Sequence, residues 1–131
     1  MIAGHFGFAA MVKAREQRTP LWMLMFAAVW LDIVFVPLFL VGVETIRPAH
    51  GKLGYGQAVI YADCTHSLVG MLVLSAILAA VCWPFWGRRS AIVIGLVSVS
   101  HWVLDLFVHR ADMPILPGNL LQLPRLGVGL S

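Results

Sequence analysis

Between Ser100 and Asp112 the chain reads SHWVLDLFVHRAD and closes an apolar run long enough to cross a bilayer. His101, Asp105 and His109 recur there every four positions, and residues four apart share one face of an α-helix, one turn above the other. The rest of that helix is Trp, Val, Leu and Phe. Ionisable groups inside a membrane are costly, and they turn toward a bundle interior or a water-filled cavity. The stripe therefore needs partners from other apolar segments.

Composition supports the membrane setting. Of 131 residues, 60% are hydrophobic and 11% are charged, and the mean hydropathy is +0.89. A soluble chain of this length has too little interior to hide so much apolar surface. The expectation is an all-α, polytopic membrane helix bundle forming one domain over residues 1–131, with three full spans plus a short N-terminal helix. The net charge of +3 comes from short basic clusters at the ends of apolar runs. These fit topology anchors better than the continuous basic face of a nucleic-acid binder, so no nucleic-acid partner is expected. Cys64 and Cys82 fall within one predicted helix, ~27 Å apart by helical rise, too far to pair, and read as small core residues. No signal peptide is recognisable, because Lys13, Arg15 and Arg18 follow the first apolar stretch instead of preceding it.

Residues 2–12 are a short apolar helix candidate holding His5, and Pro20 fits the first turn of the next helix after a basic loop. Residues 20–43 read as a full span with Asp32 near the middle and a kink at Pro37. Residues 44–57 have the Pro, Gly and mixed charge of a loop, in which His50 is solvated. Residues 58–86 form a second span whose first third carries Asp63, Thr65, His66 and Ser67, and whose end carries Trp83 and Trp86 as an aromatic belt. Gly87-Arg88-Arg89 is a tight basic turn, residues 90–109 a third span, and residues 110–131, with their prolines, an extended tail.

Helical rise converts these positions into depth. Measured from the side that carries Lys13–Thr19 and Gly87–Arg89, Asp32 and His66 lie ~18 Å in, His101 ~16 Å and His5 ~12 Å, in a hydrocarbon core ~30 Å thick. Asp105 and Asp63 lie ~7 Å from the opposite side. Four segments thus bring His or Asp to one layer, at or just beyond mid-membrane. Imidazoles and carboxylates converging inside a bundle are ligands for a divalent metal. A cation would also offset the cost of burying the carboxylates. Zinc takes such donors readily, and a mixed His/Asp set also suits manganese or iron. His109, Arg110 and Asp112 read as the membrane boundary.

At these residues the chain resembles the small bacterial inner-membrane proteins known as membrane-bound metal-dependent hydrolases, similar in pattern to zinc-dependent phospholipase C. The resemblance is carried by Gly4-His5-Phe6, Leu31-Asp32-Ile33, Thr65-His66-Ser67, and Ser100-His101 with Asp105, and runs from His5 to about Pro114. It implies a multi-pass inner-membrane protein with His5, Asp32, His66, His101 and Asp105 as metal ligands. The family pattern Pro-Asp-Ile-Asp-His is not kept: Leu31, Val34 and Phe35 replace its Pro, second Asp and His, which removes two potential ligands. In similar proteins a run like Leu126–Leu130 looks like the approach to a further span, so the chain reads as a truncated member.

The function that follows is metal-dependent hydrolysis of a membrane lipid or lipid-linked ester or phosphoester, with Asp32 or Asp63 as an alternative general base. A non-enzymatic alternative uses His66 and His101 to ligate a haem or pigment. A third is a small transport or proton-relay protein built on the same buried residues. Lys13, Arg15, Arg18, Arg88 and Arg89 outnumber Arg47, Lys52, Arg110 and Arg125 by one, which puts the first group in the cytoplasm and the site toward the outer face.

Overall fold

The computed structural model describes residues 2–48, 58–109 and 111–129; His50, Lys52 and Arg110 lie outside the described residues. Helix α1 (Ile2–Arg15) runs past Val12, and its last turn carries Lys13 and Arg15, which favour the negative end of the helix dipole. His5 and Ala9 are its buried residues, four apart on one face. After a corner at residues 16–20 come α2 (Leu21–Ala28) and α3 (Trp30–Leu40). A hairpin of β1 (Thr45–Pro48) and β2 (Ala58–Tyr61) follows, antiparallel, with Thr45 opposite Tyr61. A turn then leads into α4 (Leu68–Val108), with Ser67 as its N-cap, accepting from Gly70 N–H.

Helix α4 is not straight. Gly87 adopts φ 77°, ψ 170°, a conformation that favours glycine, and breaks it into two arms. The arms lie side by side: Ser75 Oγ donates to Ser98 Oγ at 2.8 Å, and a Cβ on Gly95 would sit 3.2 Å from that of Ala79. The corner after α1 meets this break, because Arg89 Nε donates to Glu16 Oε2 at 2.9 Å. Ala9, Leu24, Ala27, Leu78, Ile94 and Val97 form the main core between α1, α2 and both arms. The alanines, all but completely buried, let the helix backbones approach closely.

Three expectations are corrected. First, three full spans plus a short helix are not what the structure holds. Among the described residues one helix, α4, is long and apolar enough to cross a membrane, or two units if the bent pair α2–α3 is one crossing. The 20–43 run is interrupted at Val29, the 58–86 run begins as a strand and a turn, and residues 90–109 are the second arm of α4. Second, the fold is not purely α-helical. Ala58-Val59-Ile60-Tyr61 is rich in strand-favouring side chains and pairs with Thr45–Pro48. Third, the bend in the 20–43 segment, 47°, falls at Val29 and not at Pro37, which lies inside α3. A side chain reaching into the helix ladder is a recognised cause of such bends, and His101 reaches the carbonyl of Ala28 there.

The tail folds back on the site end of α4. Met113 and Leu126 pair as an antiparallel bridge, Val128 N–H donates to Leu106 O at 2.9 Å, and a short 3-10 turn spans Pro117–Asn119. The outer surface of α4 stays apolar and uncovered: Phe85 is 74% and Phe107 65% exposed, and only 22% of its most apolar 18-residue stretch is buried.

Candidate metal centre

Four parts of the chain bring side chains to one place. α1 supplies His5, α3 supplies Asp32, the turn before α4 supplies His66, and the second arm of α4 supplies His101 and Asp105. Asp105 is central: Oδ1 is 3.2 Å from Nε2 of His5, and Oδ2 is 3.1 Å from Nε2 of His101 and 3.8 Å from Nε2 of His66. Asp32 Oδ1 stands 3.5 Å from Nε2 of both His66 and His101. The rings of His5 and His101 stack at 4.0 Å between centroids.

Within sets of three, these separations approach those around one small cation. Ligand atoms arranged tetrahedrally at zinc bond lengths of ~2.0–2.1 Å lie ~3.3 Å apart. Two overlapping groupings have ligand atoms within 4.8 Å of one another: His5, His101 and Asp105, and Asp32, His66 and His101. Both use His101. Its Nδ1 is 2.7 Å from the carbonyl of Ala28, which can only accept, so Nδ1 carries a proton, and in the neutral ring Nε2 keeps a single lone pair. One lone pair serves one cation. Nε2 of His101 and both ring nitrogens of His5 are buried and make no hydrogen bond among the described residues. Unpaired buried polar atoms are costly, and a cation among them would satisfy the Nε2 atoms. Buried His and Asp groups that could hold a metal ion are therefore present; their geometry does not identify the metal.

A cavity of about 180 Å³ opens on the cluster, walled also by Phe35, Ile60, His109, Asp112 and Pro114. Asp32 is its most open acid, with 46% of its side chain accessible. Phe35 sets its ring edge-on to His66 at 6.1 Å and makes one wall apolar. His109 faces Asp112 Oδ1 through Nδ1 at 3.4 Å and Asp105 Oδ2 through Nε2 at 3.9 Å. The Asp112 carboxylate raises the His109 pKa above its ordinary value, against burial, and Asp105 adds to the rise. His109 and Asp112, read from the sequence as boundary residues, thus stand at the cavity.

Asp63 stands apart. Both its oxygens are held by Arg125, at 2.8 and 3.1 Å, so it clamps the tail, and it is not among the residues that line this cavity. At Cys64, next to it, burial first, then the Glu44 and Asp63 carboxylates, push the thiol pKa up. The residue that sequence reasoning missed is Glu44. It is completely buried and accepts from the backbone of Cys64 and Thr65 at the foot of His66. Its only signal in the sequence is an acid directly after an apolar run.

Compared with known proteins, the chain matches no protein-family model, no curated protein and no solved structure.

Proposed function

We propose that the chain is a membrane-associated, metal-dependent hydrolase in which His5, Asp32, His66, His101 and Asp105 hold a single divalent cation, zinc by donor type, beside a cavity that takes a lipid or lipid-linked ester or phosphoester. The observation that carries this reading is the meeting of three imidazole Nε2 atoms with two carboxylates at 3.1–3.8 Å, with Nδ1 of His101 held by a carbonyl and Nδ1 of His66 by a hydroxyl. A bound zinc ion supplies a Lewis acid that polarises the scissile group and acidifies water. The residues do the rest. Asp32, open to the cavity, accepts the proton of the attacking water, and Phe35 and Ile60 offer an apolar wall to an acyl or prenyl chain.

The uncovered apolar surface of α4 supports a lipid surround. A core helix of a soluble protein would be mostly buried, and the low burial of α4 argues against that origin. The resemblance in the sequence makes the bacterial inner membrane the location. A haem between His66 and His101 is disfavoured, because Asp32 Oδ1 lies within 3.5 Å of both Nε2 atoms and leaves no gap for a macrocycle.

Elemental analysis of detergent-purified wild type beside His101→Ala and Asp105→Ala tests the proposal. About one equivalent of zinc in the wild type and little in either variant is the expected result. A wild type that stays metal-free after incubation with zinc, manganese and iron would remove the reading and leave proton handling by the buried His/Asp pairs in its place.

A further inference from the structure

Glu44 takes no part in the proposed chemistry, yet it is fully buried and its contacts lead to a ligand. It sits between α3 and β1, and the hairpin register that sets Thr45 opposite Tyr61 carries it to the turn below α4. There Oε1 accepts from Cys64 N–H at 2.9 Å and Thr65 N–H at 2.7 Å, and the Thr65 hydroxyl lies 3.0 Å from each carboxylate oxygen. On its other side, Thr65 Oγ1 is 2.9 Å from Nδ1 of His66.

The directions of these bonds are fixed by proton count. A hydroxyl has one proton to donate, and a carboxylate only accepts. The Thr65 proton therefore points to Glu44, and the Thr65 oxygen accepts from Nδ1–H of His66. In the neutral ring that leaves Nε2 of His66 unprotonated, and Nε2 is the atom that faces Asp32 and Asp105. Trp102 Nε1 donates to the His66 carbonyl at 2.7 Å and holds the backbone of the same residue. Histidine ligands are commonly oriented by a partner on the other ring nitrogen, and losing that partner costs about 10- to 100-fold in metal affinity.

We infer that Glu44 and Thr65 are positioning residues that lock His66 in the Nδ1–H tautomer and thereby set the affinity of the site for a divalent cation. The affinity part rests on the metal reading; the tautomer part does not. A purely structural role is also available to Glu44, since its two backbone bonds staple the turn. Thr65→Val separates the two roles, because it removes the hydroxyl while keeping the shape and both backbone bonds.

The experiment uses full-length protein in detergent. Nitrogen-15 spectra of histidine-labelled, metal-free wild type, assigned with His66→Gln, report the His66 tautomer. Zinc competition against a chromophoric chelator reports affinity for wild type, Thr65→Val and Thr65→Ser. The expected result is Nδ1–H in the wild type, zinc binding about 10- to 100-fold weaker in Thr65→Val, and near-wild-type binding in Thr65→Ser. A wild-type His66 protonated at Nε2 overturns the inference, as does a folded Thr65→Val that binds zinc as the wild type does. If Thr65→Val does not fold, the wild-type tautomer decides alone. A wild type with the Nδ1–H tautomer but no zinc binding overturns the metal reading and the affinity role, and leaves the tautomer lock standing.

Discussion

Asp105 Oδ2 lies 3.1 Å from Nε2 of His101, one turn earlier on the same helix, and among the described residues Nε2 makes no hydrogen bond. With the His101 proton on Nδ1, facing Ala28, the two atoms present electron pairs to each other in a buried site. Such a contact is repulsive unless a proton or a cation stands between them.

Zinc is accordingly expected to stabilise the fold as well as bind. A ligand that binds only the folded state at 100 times its Kd adds about 2.7 kcal/mol. Thermal unfolding in detergent, with zinc and then with excess chelator, should show a zinc-dependent rise that the chelator reverses. Asp105→Asn should abolish the rise, since the amide provides no anionic ligand. A wild-type melting curve indifferent to zinc would contradict the single-cation site.

Asp63 is held by Arg125, apart from the His/Asp cluster. Its ion pair with Arg125 is partly exposed, with side chains 23% and 22% accessible, and pairs of this kind contribute about 0.2–1 kcal/mol. Asp63→Asn should lower stability by that amount and leave zinc affinity unchanged. Arg125→Ala should behave alike, with the added loss of its bond to the Asp112 carbonyl at 2.6 Å. A large drop in zinc binding in Asp63→Asn would place this residue at the metal centre.

Gly70 guards the turn that carries His66. A Cβ there would collide with the Cys64 carbonyl and come within 2.6 Å of Ser67 Oγ, the N-cap of α4. Gly70→Ala must displace the turn, and overpacking of this sort costs about 1–3 kcal/mol. Both stability and zinc affinity should fall. Gly7→Ala is the control, because among the described residues nothing lies within 4 Å of its added Cβ, and alanine favours a helix by about 1 kcal/mol. Unchanged zinc binding in a folded Gly70→Ala would show that the turn is not held as described.

The sequence held more of the site than of the fold. Helical rise put His5, Asp32, His66 and His101 in one layer, with Asp105 one turn beyond His101 on the same helix, and errors of a turn still leave side chains within reach of one another. The fold depended on finer competition. Residues 58–61 continue an apolar run and look helical by composition, yet their β-branched side chains find a strand partner only across a connection whose ends meet in space. The bend at Val29 meets His101, distant in the chain, at the Ala28 carbonyl, whereas Pro37 advertised a kink locally. Glu44 was illegible for the same reason: its partners lie beyond the hairpin, and no local pattern ties an acid after α3 to a threonine before α4.

The corner at Glu16 gives a pH dependence that can be told apart from the metal site. Its carboxyl is held below the ordinary glutamate value, first by the backbone N–H of Arg18 and then by the Arg89 guanidinium, with burial acting in the opposite direction. A carboxylate depressed by folding contributes its full stability above the unfolded pKa, about 4.3, and loses it as pH falls through the folded value. The stability difference between wild type and Glu16→Gln should therefore be level from pH 7 to about pH 6 and shrink on acidification below about pH 4. Chelator should be present throughout, so that protonation of the histidine ligands and metal release do not enter. Unfolding of both proteins measured from pH 7 to pH 3 gives the result. A difference that stays constant to the lowest pH would mean that the bond between Glu16 and Arg89, which ties the corner after α1 to the break in α4, does not form in solution.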